Sequence, residues 1–531
     1  MAAMMSMSSI MRRYVSSSSA AAAAASSSAI YAHREYQPPL LRLPNLGAMI
    51  ANTWIASSDV MPTINPATEE VIADVTVGRA KEVNAAVEAA NEAMKHDAPW
   101  RRMGGSGRSR LLSKLADLME EHAEELAWID VIDNGKPYGE AFIDGQLCQS
   151  VFRYCSGKAQ NSHAQLVRPS GPLVTPDTVA YVEREPVGVV GAIAPWNFPL
   201  AMATWKLAPA LAAGCAVVLK TAPQTPLSAN RLAELTIEAG FPPGVVNIMP
   251  GDDETGRLLV RHDGVDKISF TGSTEVGKEI KSELAGTFKR LSLELGGKSP
   301  LIVTQDADID RAVDIAQLGL FLNAGQCCCA SSRIFVHASR RDEFQDKMKR
   351  LAKSRRVVEG WHPDARSIDP HRWPQGPQVD KAQFEKVLGY IESGVRDGAN
   401  LLCGGKRARD VGYFVEPTIF TDVQDDMAIA REEIFGPVMQ IMTYKDDDEV
   451  IARANNTVYG LGAGIVTTNE HHARLLAPRI KVGTVWINCY DTFDAALPFG
   501  GFKSSGIGRD LGDASLETYT EIKTTVFGAP K

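Results

Sequence analysis

Cys328, in the run NAGQCCCASSR, and Glu294, in RLSLELGGKSP, are a residue pair that could form a covalent adduct with a carbonyl carbon and then hydrolyse it. A thiol is the best side-chain nucleophile near neutral pH, and a carboxylate can take a proton from the water that cleaves the adduct. Asn197, between Trp196 and Phe198 in APWNFPL, offers an amide to an oxyanion; a donor aimed in advance can be worth about 3 to 4 kcal/mol. In FTGSTEVG, Gly272 and Gly277 are spaced to let a phosphate approach backbone N–H groups.

Each residue also has a plainer reading when taken alone. A cysteine is more often a small buried hydrophobe, a glutamate a surface charge, and an asparagine before Phe198-Pro199 a turn residue. Glycines occur in many βα turns, and this one is not GxGxxG. Adjacent cysteines point apart and no CxxC or HxxxH partner accompanies them, so no metal site is expected.

Rigid elements must hold these side chains. From Gly188 onward, short β-branched runs (GVVGAIAP, CAVVLK, VVNIMPG, DKISF) alternate with helical ones, which predicts a parallel sheet covered by helices. A second such series begins at SPLIVTQDAD and continues through ASSRIFVH, so two sheets with a cleft between them are expected. Upstream, AKEVNAAVEAANEAM and SRLLSKLADLMEEHAEELAWID read as amphipathic surface helices. Residues 171–187 and YTEIKTTVF alternate like strands whose edges invite subunit pairing. The stretch GWHPDARSIDPHRWPQG, with its prolines, reads as an exposed inserted loop without catalytic meaning.

Composition narrows the class. The 531 residues are 44% hydrophobic and 23% charged, as in folded globular proteins, and a net charge of −8 with interspersed signs argues against a nucleic-acid partner. Eight cysteines without regular spacing suggest a reducing compartment. No apolar stretch is long enough to span a membrane. Residues 1–36 form an expected leader: up to Arg34 they lack Asp and Glu, carry Arg12 and Arg13, and are rich in Ser and Ala. That composition suits import into the mitochondrial matrix, with a plastid as the alternative.

Four motifs in order, PWNFP, FTGSTEVG, ELGGKSP and NxGQCCCA, resemble the aldehyde dehydrogenase superfamily. LPFGGFKSSGIGRDLG extends the likeness from about residue 45 to the C-terminus, and GPQVD, NNTVYGL and GTVWINCYDTF resemble its class 1/2 group. The resemblance implies an α/β fold: a Rossmann-type cofactor domain over 37–168 and 188–296, a catalytic domain over 297–505, and a small β oligomerisation arm from 169–187 and 506–531. It implies NAD as cofactor, a small aldehyde as substrate, and a homotetramer built as a dimer of dimers. Cys328 becomes the nucleophile, Glu294 the deacylating base, and Asn197 with the Cys328 N–H the oxyanion hole. Ser273 falls near the pyrophosphate and Lys220 near the adenosine ribose. Glu433 and Phe435 fall near the nicotinamide ribose and ring, with Trp196 and Lys386 as lesser candidates. Cys327 and Cys329 would line the pocket beside an apolar funnel of Phe198, Trp205, Phe493 and Phe499, and Lys206 with Asp510 would relay protons.

The chain departs from its relatives at three of these positions. Pro223 stands where they place a ribose-binding Glu, so NADP is expected to be tolerated. Leu322 replaces a common aromatic, which widens the funnel toward medium-chain or bulkier aldehydes. Asp510 replaces a Glu and is a methylene shorter, so a bridging water is expected. The rival readings are a coenzyme A-acylating semialdehyde dehydrogenase, which Glu294 opposes, and a non-catalytic structural protein of the same fold, which intact Cys328, Glu294 and Asn197 oppose.

Overall fold

The apolar runs after Gly188 lack alternation because the strands they form are buried on both faces. The structure, a computed structural model, describes residues 41–160, 164–369 and 373–528; the expected leader lies outside them. Val189–Ile193, Ala216–Thr221, Val246–Pro250 and Lys267–Thr271 are buried along their whole length. With Arg290–Glu294 they make the parallel centre of an eight-stranded sheet. Val189–Ile193 lies between Ala216–Thr221 and Lys267–Thr271, so the winding direction reverses there. A crevice opens beyond the carboxyl ends of strands at such a reversal. Asn197 follows one of those two strands and Gly272 the other.

The first strand of a seven-stranded sheet, Pro300–Val303, begins six residues after Glu294 and lies in the sheet's interior. Arg333–His337, which follows the cysteines, pairs parallel to it, as does Gly462–Val466. Leu301, Val303, Ile334 and Val336 pack into the core shared with the first sheet, while Ile302, Phe335 and Ile465 face a separate core on the far side. That alternation follows the two-residue period of a strand. Glu294 therefore ends one sheet close to where the other starts, and Cys328 sits just ahead of its neighbouring strand.

Ala80–Met94 is amphipathic as expected, burying Val83, Ala86, Val87 and Ala90 at helical spacing. The next pattern divides at His122 into Gly104–Glu121 and Ala123–Asp133. The second of these is not a surface helix, since Leu126 through Asp133 are all buried. Its charged positions misled the reading: Asp133 is an internal hydrogen-bond acceptor for the Thr63 hydroxyl at 2.6 Å and the Leu227 N–H at 2.9 Å. Burial pushes its pKa up to about 8.

Within 171–187 the strand is Val179–Pro186, paired antiparallel with Thr520–Phe527 and with Gln165–Val167. The small sheet thus starts before residue 169. Among the described residues no helix is long and apolar enough to cross a membrane.

The proline-bearing stretch after Gly360 is exposed at Pro363, Arg366, Ile368 and Asp369, as its composition suggested, but not throughout. Trp361, Ala365 and Trp373 are 3%, 0% and 5% exposed. It folds onto the first turn of the helix Tyr138–Ala159, where Gly139 leaves room; a Cβ there would lie 1.9 Å from the Ser367 carbonyl oxygen. Prolines exclude helix and central strand, but they do not report exposure.

Candidate active site

A cavity of about 420 Å³ occupies the crevice beyond the reversal of the first sheet. Cys328, Glu294 and Asn197 all line it, with Phe198, Trp205, Leu322, Phe493 and Phe499 on its apolar wall. Trp196, Gly272, Ser273, Lys386, Glu433 and Phe435 also reach it, as do Cys327, Cys329 and Asp510. Residues about 130 apart in sequence therefore share one enclosed space.

The cysteines follow a single 3-10 turn, Leu322–Gly325, in which Asn323 and Ala324 have φ of 47° and 55°. Left-handed backbone is costly for residues with a Cβ, so the turn needs external restraint. The Asn323 side-chain amide donates to the Asn197 carbonyl at 2.6 Å, and the Asn197 amide donates back to the Gln326 carbonyl at 3.0 Å. The Asn323 N–H donates to Glu140 at 3.0 Å, and Gln326 accepts from the Val379 N–H at 2.9 Å. An amide NH₂ has two donors, so Asn197 keeps a second hydrogen for an oxyanion while the first holds the cysteine turn.

The three cysteine side chains do not point apart. The turn brings their sulfurs within 4.8 Å of one another, with Cys327 and Cys329 3.4 Å apart. Three sulfurs so placed could also ligate a soft metal. Cys327 and Cys329 therefore do more than line the pocket. Hydrogen bonds from their thiols pull the Cys328 pKa below the ordinary thiol value, against burial and the charges of Glu433 and Glu294. Its hydrogen bonds with Cys327 and then Cys328 hold Cys329 well above it. Cys329 donates to Asp491 at 3.2 Å. Cys328, partly exposed between two buried neighbours, is thus the thiol that ionises first.

Glu294 is 6% exposed and neither carboxylate oxygen has a hydrogen-bond partner among the described residues. Burial, then the charge of Asp510, pushes its pKa well above the carboxylate range, opposed by Lys206 and Arg509. Close packing is possible because residue 500 is glycine; a Cβ there would lie 2.4 Å from Glu294 Oε1. Lys206 Nζ sits 3.7 Å from Asp510 Oδ2 and 3.4 Å from Ser269 Oγ. The first separation is an ion pair longer than a direct hydrogen bond.

Trp205, Phe493 and Phe499 pack on each other with ring centroids 5.3 to 5.9 Å apart. On the polar side, Ser273 caps the helix Thr274–Glu283, its hydroxyl accepting from the Val276 N–H. Gly277 packs closely on the Leu295 side chain, from which a Cβ would lie 2.6 Å. Glu433 accepts from the Gly297 N–H at 2.9 Å, and burial raises its pKa to about 7. Trp196 meets Phe435 edge-on at 5.2 Å. Phe435 is itself left-handed, with φ 60°, its carbonyl held by Gln383 at 2.7 Å. Lys220 lies off the cavity wall, its ammonium donating to the Thr221 carbonyl at 3.1 Å, and burial lowers its pKa to about 8. Pro223, a few residues on, is half-buried.

Sequence reasoning missed Gln326, Asp491 and Trp373. Gln326 and Asp491 act through fold-dependent hydrogen bonds that no local pattern marks. Trp373 lay in the stretch set aside as surface.

The protein-family comparison matches residues 54–525 to the aldehyde dehydrogenase family. The chain is 50% identical over 487 residues to "Aldehyde dehydrogenase, mitochondrial" of Homo sapiens, covering 91% of this chain and 92% of that one. It is 47% identical over 505 residues to "Aldehyde dehydrogenase family 2 member B4, mitochondrial" of Arabidopsis thaliana, covering 94% and 91%. Among solved structures, the NAD+ complex of an aldehyde dehydrogenase from Bacillus cereus superposes with a TM-score of 0.87 at 44% identity, covering 91% of this chain and 97% of that one. With its two sheets, its shared cavity and these likenesses over nine-tenths of its length, the chain belongs to the aldehyde dehydrogenase family.

Proposed function

We propose that this chain oxidises uncharged aliphatic and bulkier aldehydes to carboxylic acids, with NAD as oxidant, through a thioester on Cys328. The observation that carries the reading is the convergence of an acidified thiol, an amide donor and an unpaired buried carboxylate in one cavity. The residues fit a nicotinamide dinucleotide. The cavity reaches a sheet reversal and a serine-capped helix start, where backbone N–H groups suit a phosphate. Glu433 and Phe435 would hold the nicotinamide end, Lys220 and Ser273 the adenosine and pyrophosphate. When bound, the oxidised cofactor accepts a hydride.

Cys328, as thiolate, attacks the aldehyde carbon, and the second N–H of Asn197 with the Cys328 N–H stabilises the oxyanion. Loss of hydride from that carbon leaves a thioester on the sulfur. Glu294 then takes a proton from water, the hydroxide attacks the thioester, and the acid departs as Cys328 regains its thiolate. Asp510 and Lys206 carry the proton away from Glu294. In this reading 37–168 with 188–296 hold the cofactor and 297–505 carry the nucleophile. Residues 169–187 with 506–531 pair subunits in a homotetramer, and the leader directs the chain to the mitochondrial matrix.

Cys328→Ala is expected to abolish acid formation, whereas Glu294→Gln should give one equivalent of reduced cofactor followed by turnover slowed at least about a hundredfold. Full turnover by either variant contradicts the scheme. Glu294 works as a carboxylate and its pKa is raised, so kcat should fall as pH drops through that raised value. Asp510→Asn removes a charge that raises it and should move the acid limb to lower pH; an unmoved or upward-shifted limb contradicts the coupling. With Pro223 in place of a ribose-binding carboxylate, NADP is expected to be used. A kcat/KM preference for NAD above about a thousandfold, roughly 4 kcal/mol, contradicts this.

A further inference from the structure

We infer that Trp373 is a specificity-determining residue of the substrate cavity, selecting uncharged aldehydes that carry an aromatic ring. The inference rests on the proposed oxidation and adds its substrate class. Trp373 comes from the stretch after Gly360 yet lines the same cavity as Cys328. It is 5% exposed, and its indole N–H donates to the Ser367 carbonyl at 2.7 Å. The polar atom is therefore satisfied within its own loop, and the ring is held in one orientation.

Two independent ties fix its neighbours. A Cβ on Gly139 would lie 2.9 Å from Trp373 Nε1, so the indole rests on the first turn of the helix Tyr138–Ala159. Ile143 and Leu147 follow Gly139 at intervals of four on the same helix face, and both line the cavity. The Asn323 N–H is bound to Glu140, which brings Leu322 to that same turn. Trp373 thus stands beside Ile143 and Leu322, restoring an aromatic surface where the chain carries leucine.

Charge selects as well. Asp144 reaches the cavity wall, but its carboxylate is bound to the buried Lys136 ammonium at 2.7 Å. It is engaged rather than free to receive a cationic substrate. A flat, neutral ring against indole and branched aliphatic side chains is the ligand chemistry this wall suits.

The test compares cinnamaldehyde with acetaldehyde in the full-length enzyme carrying Trp373→Ala or Trp373→Phe. Trp373→Ala should lose about tenfold in kcat/KM for cinnamaldehyde, mainly through KM, while acetaldehyde stays within about twofold and Trp373→Phe retains most of the wild-type value. The ratio of the two substrates is unaffected by the fraction of enzyme folded. If Trp373→Ala does not fold, the same ratio in Trp373→Leu decides. An unchanged ratio in the alanine or leucine variant overturns the inference. Failure of the wild-type enzyme to oxidise either aldehyde overturns instead the proposed reaction on which it rests.

Discussion

A reciprocal pair of hydrogen bonds determines where the nucleophile stands. Asn323 donates to the Asn197 carbonyl and Asn197 donates to the Gln326 carbonyl, so the loop leaving the first sheet and the turn entering the second hold each other. The clasp adds to the Glu140 and Val379 hydrogen bonds that restrain two consecutive left-handed residues just ahead of Cys328. The same amide that restrains the turn points into the cavity. In the proposed mechanism, restraint and oxyanion stabilisation share this one side chain.

The cavity treats its two reactive groups oppositely. Burial disfavours charge on both, yet Cys328 receives hydrogen bonds from neighbouring thiols while Glu294 receives none. The Cys328 pKa is thereby lowered and that of Glu294 raised, with Asp510 reinforcing the second effect. In the proposed mechanism the Cys328 thiolate attacks first and the Glu294 carboxylate acts later. This suits a reaction in which acylation precedes hydrolysis.

Much of this was legible in the residues. The parallel sheets could be read because buried β-branched runs separated by helical ones admit few other packings. Cys328, Glu294 and Asn197 were singled out because the motifs around them resemble those of aldehyde dehydrogenases, whereas taken alone each has a plainer reading. The errors have a common cause. Leu126 to Asp133 carry charges yet lie inside, and Trp373 lies among prolines yet reaches the cavity. Local composition reports which backbone is possible, whereas burial is set by what packs from elsewhere in the chain. The sulfur cluster was misjudged similarly, since side-chain divergence along an extended chain does not hold in the turn that the Ala330 N–H closes onto the Cys327 carbonyl.

The priming of Cys328 by its neighbours is tested most directly by the pH dependence of its alkylation with iodoacetamide, each cysteine being followed by peptide mass spectrometry. Cys328 should react first, with a half-maximal rate at a pH below the ordinary thiol value of about 8.5. Reaction of Cys327 or Cys329 ahead of it, or a midpoint at or above that value, would contradict the assignment of the thiolate.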